Sequence, residues 1–395
     1  MSYLNVSEDD YSLVFTANQT SAFNIFAESY PFQSNKKLIT VYDYENEAIE
    51  TMIKTSRSRG ARVSSAEFKW PKLKINGNKL EEMIVGKSSS NKKKMNKGLF
   101  VFPVQSRVSG ARYSYQWMSL ARENGWHVML DASALSPKEM DTLGISLFQP
   151  DFVICTFYKV FGHDPSGVAC ILVRKSVSPI LDHSNISSAR GILNLIRMDY
   201  QGHSETMKVR DMECKGLNHA DELGLVIIGN RVRCLINWLI NALLALYHPH
   251  SEIGTQLVQV YGPKVKFDRG PSLAFNVLDW KGEKVDPMLV QKIADRNNIS
   301  LGCGIIKNVW FSERYEVERE KNLVKGTKED KRRFKGKKRE SFESGISVIT
   351  VNVGFLTNFE DVYTMWKFVS KFLDADFVEK ERWRYKALNQ KSIEV

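Results

Sequence analysis

Apolar runs and helical patterns alternate from the start of the chain. YSLVFTA (11–17) precedes TSAFNIFAESY (20–30), KLITVYD (37–43) precedes ENEAIETMIKTSRSRG (45–60), and ARVSSAEF (61–68) leads into a loop. GLFVFPV (98–104), a helical pattern near Tyr113 to Asn124, WHVMLDAS (126–133), DFVICTFY (151–158) and GVACILVRK (167–175) continue the series. Strand-length runs spaced by helices predict an α/β fold with a mostly parallel sheet sandwiched by helices, and ligands bind such sheets at the carboxyl ends of the strands. Ser176 to Lys215 has no clear period. Asn218 to Tyr247 reads as a long helix interrupted by Arg231 and Arg233. Strands near Ser272–Val277 and Ile346–Val351, with helices near Asp286–Asn297 and Asn358–Leu373, predict a smaller C-terminal α/β domain. The expected division is therefore a large domain over 1–175, an irregular segment and long helix at an interface over 176–260, and a small domain over 261–395 with a charged insert at 316–343.

The longest apolar run, Cys234 to Tyr247, is too short to span a bilayer and contains two Asn, which predicts a buried helix. The first ten residues lack a basic start followed by an apolar stretch, so a cytoplasmic protein is expected. The net charge of +11 suggests nucleic acid until it is located: Lys87–Lys97 carries five positive charges and Lys331–Arg339 seven, more than the whole excess. Both runs are polar, and only Phe334 lies within one to stack on a base, so solvated loops are expected and nucleic-acid binding is the weaker alternative. Lys331–Arg339 also resembles a nuclear-localisation sequence. Five scattered cysteines without CxxC spacing imply neither a metal site nor a disulfide.

Three features align in chain order. Asn18-Gln19-Thr20-Ser21 opens a helix after the first strand, where backbone N–H groups and hydroxyls favour a phosphate. Asp131 stands where WHVMLD stops, and Lys159 just past DFVICTFY, followed by Gly162 and Gly167. Pyridoxal phosphate needs such a set: an amine for a Schiff base, a carboxylate to keep the pyridine nitrogen protonated, and a phosphate cradle. Taken singly, the same residues read equally as a helix N-cap, a strand-end cap and a solvent lysine.

DFVICTFYKVFGHDPSG, LDASA, YSLVFTANQTSAF and FVFPVQSRVSG resemble stretches of the molybdenum cofactor sulfurase family, most closely its plant branch, within the class V aminotransferases that also hold the cysteine desulfurases. ECKGLNHADELGLVIIGNRVRCLINWL, YGPKVKFDRGPSLAFN and the tail FLDADFVEKERWRYKALNQ extend the resemblance over essentially the whole chain. It implies a fold-type-I pyridoxal-phosphate-dependent transferase, a homodimer acting on an amino acid such as cysteine, with Lys159 as the Schiff-base lysine and Asp131 as partner of the pyridine nitrogen. It also implies Thr16 to Thr20 (Thr16, Asn18, Gln19, Thr20) and Thr156 near the phosphate, and Gln105 near the phenolic oxygen.

The departures from the family are specific. Asn18 stands where the cradle usually has Gly, and VYDYENEAI offers Tyr44 or Glu45 where a His stacks on the ring. In the segment resembling RTGCFC, Ser300 takes the place of the carboxylate-gripping Arg and Ile305 that of the persulfide Cys. Cys303 between two glycines is the candidate substitute. The sequence starts directly before the cradle strand, and the family's molybdenum-cofactor domain does not follow Val395, so a shortened N-terminal part is expected. A relative that binds the cofactor without sulfurase activity is the alternative to an active sulfurase.

Overall fold

The computed structural model describes residues 6–86, 98–135, 148–156, 168–182, 215–249, 254–264, 269–316, 318–319 and 345–391. The lysine run at 87–97, most of the 316–343 insert with its 331–339 run, and residues 183–214 lie outside them.

Strands β1 (Tyr11–Thr16), β2 (Lys37–Thr40), β3 (Arg62–Ser65), β6 (Gly98–Pro103), β7 (Trp126–Asp131), β8 (Phe152–Thr156) and β9 (Ala169–Arg174) form a seven-stranded sheet in the order β1-β9-β8-β7-β6-β2-β3. The neighbours from β3 to β8 pair in parallel. β9 is antiparallel to both β8 and β1, so β1 runs with the others and its carboxyl end shares their edge.

The central strands are buried along their whole length because both faces are covered. Leu99, Val101, Met129 and Ile154 face one core, packed under α1 (Gln19–Ser29) and α2 (Glu47–Ser58). Phe100, Phe102, Val128, Leu130 and Val153 face the opposite core, under α3 (Gly77–Val85) and α4 (Gln116–Glu123). α1 buries Ala22, Phe23, Phe26 and Ala27, and the Phe26 ring meets Phe152 edge-on at 4.6 Å. Burying one such ring stabilises by about 1.5–3 kcal/mol.

A short helix, α5 (Ser178–Asp182), follows β9, and α6 (Lys215–Leu244) leads into the second domain. α6 breaks at Gly224 (φ 73°) and runs on unbroken through Arg231 and Arg233, the pair at which the sequence pattern predicts the interruption. A helix tolerates two exposed arginines, whereas a left-handed residue ends its hydrogen-bond ladder. Its C-terminal half puts Leu235, Ile236, Leu239, Ile240 and Leu243 into the core of the small domain. That core lies under a sheet in the order β10-β11-β14-β12, from β10 (Val258–Tyr261), β11 (Ser272–Val277), β12 (Gly302–Ile306) and β14 (Ile346–Asn352), with helices α7 (Pro287–Arg296), α8 (Phe359–Ser370) and α9 (Ala375–Lys391).

Backbone hydrogen bonds stitch the C-terminal end of β12 to the large domain. Glu45 N donates to Ile305 O (2.8 Å) and Lys307 N to Asp43 O (2.9 Å), flanking a bridge between Tyr44 and Ile306. Then β13 (Val309–Trp310) pairs with β4 (Phe68–Lys69), which forms a hairpin with β5 (Lys74–Ile75). Lys307 Nζ adds ion pairs to Glu45 (2.8 Å) and Glu50 (2.6 Å).

Candidate active site

Side chains alternate between faces along a strand. Val14, Val101, Met129 and Ile154 all belong to the core under α1 and α2, so residues two or four positions on share that face: Thr16, Gln105, Asp131, Ser133 and Thr156. Five polar residues of four strand ends thus converge on one side of the carboxyl edge. All five are buried.

Asp131 is 1 % exposed, and both of its carboxylate oxygens are engaged: Tyr42 Oη donates to Oδ2 (2.8 Å) and Ser133 N to Oδ1 (2.9 Å). Burial and the Asp131 charge push the Tyr42 hydroxyl well above its ordinary pKa, with the Arg107 guanidinium opposing, so Tyr42 stays a donor. Each oxygen accepts one bond and retains a further lone pair for an N–H in the site. Tyr42 is a site residue that sequence reasoning missed. Its only signal was an aromatic after β2, indistinguishable from a core residue.

The N-terminus of α1 is closed by local contacts. Asn18 has extended backbone (φ −163°, ψ 177°), a conformation any residue adopts, so the usual Gly is not required there. Its Oδ1 caps α1 by accepting from Ser21 N (2.8 Å). Thr16 Oγ1 shares its one proton between Asn18 O (3.2 Å) and Ala169 O (3.3 Å), and Thr20 lies in the first helical turn. Gln19 Nε2 donates to Ser133 Oγ (2.8 Å), while Gln19 Oε1 accepts from Arg107 Nη1 (2.9 Å). Thr156 Oγ1 lies 3.5 Å from Ser133 O, closing the group from the β8 side.

Gln105 Nε2 donates to Ala134 O (2.7 Å), and its buried Oε1 has no partner among the described residues. The loop after Gln105 is held by Ser109 Oγ, which donates to Asp43 Oδ2 (2.6 Å). Asp43 is fully buried; burial pushes its carboxyl above the usual range against the hydroxyls around it. From the small domain, Gly270 N donates to Gly110 O (2.6 Å), and a Cβ at Gly270 would collide with Gln105 Oε1. A buried Arg269, its pKa pushed down to about 10 by burial, anchors this segment on the carbonyls of Pro263, Gly270 and Ser272.

Lys159, with Gly162 and Gly167, lies outside the described residues, three positions past Thr156. Tyr44 packs edge-on against Tyr42 (5.8 Å) and bridges Ile306, and Glu45 pairs with Lys307.

The small-domain candidates do not join the cluster. In β12, Gly304 faces the site loop, with a Cβ there 3.3 Å from Val108, so Cys303 and Ile305 point to the other face. Cys303 Sγ contacts Gln291 Oε1 of α7 (3.3 Å). Although the residue is solvent-exposed, partial burial of its sulfur and the charges of Asp286 and Asp295 push the thiol up, away from a thiolate. Ser300 lines a separate cavity of about 380 Å³ with Asn352 and Thr357.

No family model matches the chain. The molybdenum cofactor sulfurase of Bos taurus is 26 % identical over 349 residues, covering 80 % of this chain and 38 % of the relative; that of Solanum lycopersicum is 23 % identical over 431 residues, covering 96 % and 49 %. The chain thus spans less than half the length of these two relatives. Among solved structures, the apo cysteine desulfurase of Thermococcus onnurineus NA1 superposes with a TM-score of 0.61 at 15 % identity, covering 94 % of this chain and 81 % of that one. The ureidoglycine-glyoxylate aminotransferase of Bacillus subtilis gives 0.58 at 12 %, with 94 % and 81 % covered. The fold is that of the fold-type-I pyridoxal-phosphate-dependent transferases. In sequence the chain is similar to molybdenum cofactor sulfurases of animals, plants and fungi. Among the described residues, no helix is long and apolar enough to cross a membrane.

Proposed function

We propose that the protein is a pyridoxal-phosphate-dependent transferase that acts on an amino acid, with cysteine as the substrate its sulfurase relatives suggest and Lys159 as the residue that carries the cofactor. The observation that carries this reading is the convergence of Thr16, Gln105, Asp131, Ser133 and Thr156 on one face of the carboxyl edge, beside the N-terminus of α1. The residues fit the group. Asp131 has acceptor capacity left for a pyridine N–H, Gln105 Oε1 is a buried acceptor without a partner among the described residues, and the first-turn N–H groups of Gln19 and Thr20 have no intrahelical acceptor. When bound, the cofactor supplies an electron sink for charge that develops on the substrate.

The chain's own residues do the rest. Asp131, oriented by Tyr42 and Ser133 N, holds a proton on the ring nitrogen; Gln19, Ser133 and Thr156 line the phosphate side; Lys159 Nζ moves the substrate proton. A homodimer belongs to the same reading and is carried by the family resemblance. Sedimentation velocity of the loaded protein giving only a monomer would sink it.

A second reading, a cofactor-binding relative without the sulfur step, is favoured by the positions of Ser300, Cys303 and Ile305 away from the cluster. Sulfide release from cysteine with a reductant separates the two: turnover returns the protein to the active desulfurases. The first reading is tested by borohydride reduction of loaded protein and peptide mass mapping, with the label expected on Lys159. A label on another lysine, or none at saturating cofactor, overturns it.

A further inference from the structure

The segments after β1 and β6 start far apart. Three strands separate β1 from β6 in the sheet, so their ends lie about 19 Å apart at about 4.8 Å per spacing. Yet Gln19, just after β1, and Arg107, just after β6, meet at 2.9 Å, and Gln19 reaches Ser133, just after β7, at 2.8 Å. These side chains form a polar strap over the ends of β7 and β8, where Asp131 and Thr156 lie.

The guanidinium in this strap is incompletely used. Arginine has five N–H donors, and Arg107 places one on a neutral amide oxygen. Among the described residues it makes no ion pair, and although the residue is exposed its charge acts on the buried Tyr42 and Tyr44 hydroxyls beside Asp131. A fixed fork of donors beside a helix N-terminus matches a tetrahedral or planar anion, whose oxygens it engages two at a time. The sequence offers no guanidinium at Ser300, where the family resemblance implies one.

We propose that Arg107 is the anion-binding residue of this site, pairing with the phosphate ester of the ligand held at the N-terminus of α1. This rests on the reading of the site as a cofactor site. The carboxylate of an amino acid is the other source of the same chemistry, and the test separates the two.

Pyridoxine 5′-phosphate and pyridoxine lack the aldehyde, so Lys159 is not engaged, and calorimetry with the full chain reads the phosphate alone. Wild type should prefer the phosphorylated ligand. Arg107→Gln should lower that preference about tenfold to a hundredfold, the range of one charge-assisted bidentate pair, and Arg107→Lys should restore part of it. Affinity for pyridoxine should stay within about twofold, as expected for an exposed residue whose loss leaves the fold intact.

If the phosphate preference survives in Arg107→Gln but the spectral response of pyridoxal-phosphate-loaded protein to L-alanine weakens about tenfold relative to ethylamine, the anion is the substrate's carboxylate. Arg107 is then still its binding residue. If both ligand preferences survive, Arg107 only ties the loop to Gln19 and the proposal falls alone. If wild type shows no preference for the phosphate, the reading as a cofactor site falls with it.

Discussion

The carboxyl edge of the large sheet and strand β12 of the small domain obey the same alternation with opposite results. At the large edge, the face shared with Val14, Val101, Met129 and Ile154 carries Thr16, Gln105, Asp131, Ser133 and Thr156. On β12, the face toward the site carries Gly302 and Gly304, while Cys303 and Ile305 face away. A buried polar group costs about 1–3 kcal/mol unless it is hydrogen-bonded. The large edge meets that cost with a connected set, Tyr42 on Asp131, Gln19 on Ser133 and Gln105 on Ala134 O. The β12 face has no such set; it presents only hydrogen atoms to Val108 at Gly304 and adds the apolar Ile306 side chain to the same core, which lets the two domains approach closely. Chemistry is concentrated on one side of the domain junction, and the other side supplies fit.

The contrast breaks most sharply at Asp131. Asp131→Ala leaves the Tyr42 hydroxyl buried without an acceptor and the site without its carboxylate, a loss of about 1–3 kcal/mol for a buried donor left unsatisfied. Cofactor affinity is expected to fall a hundredfold or so, with Asp131→Asn much milder because the amide oxygen still accepts from Tyr42. Equal affinity in wild type and Asp131→Ala would remove Asp131 from the site.

Two glycines then sharpen the comparison. Gly270→Ala drives a Cβ into Gln105 Oε1 and should cost about 1–3 kcal/mol in urea unfolding, together with weaker cofactor binding. Gly304→Ala meets the Val108 and Thr350 methyls at 3.3 Å and should cost well under half of that. The reverse order would show that β12, not the Gln105 loop, governs the junction.

Asp43 gives a pH-dependent term. Its folded pKa is raised by burial, so the folded chain binds this proton more tightly than the unfolded chain. The stability it contributes is full below the ordinary carboxyl value of about 3.9 and is lost as pH rises through the raised folded value. Asp43→Asn cannot ionise, so its stability relative to wild type should improve from pH 4 to pH 7. Urea midpoints of both proteins at the two pH values check this, and a gap that does not change with pH refutes it.

The smallest effect is expected at Cys303. An exposed residue whose raised thiol contacts Gln291 should tolerate serine within about 0.5 kcal/mol, with cofactor affinity unchanged. A Cys303→Ser protein that binds the cofactor normally yet loses sulfide release would restore Cys303 as the sulfur acceptor.

Local pattern was enough to recognise the strands that end at Thr16, Asp131 and Thr156, since an apolar run buried on both faces is a one-dimensional signal. The Asn18 cap was legible for the same reason: its bond to Ser21 N spans three residues. β10 and β12 were not anticipated. The pattern of β12, GCGII, opens with two glycines and a cysteine, and it is a strand because β14 pairs along one edge while the Asp43 and Glu45 backbone bridges the other. The direction of β9 was likewise beyond the pattern, since parallel and antiparallel neighbours bury the same residues.

By itself, the sequence determined which residue types stand at the strand ends and hence the chemistry available there: a carboxylate, amides, hydroxyls and a helix start. Only the tertiary structure decided which of them meet. Tyr42 and Asp131 are 89 residues apart, Arg107 and Gln19 88, and their contacts depend on strand order. Tertiary structure also decided that Cys303 faces away from the site, because β12 could have been buried with either face toward Val108. A period of two makes the faces alternate, but the register against β14 selects which one looks inward.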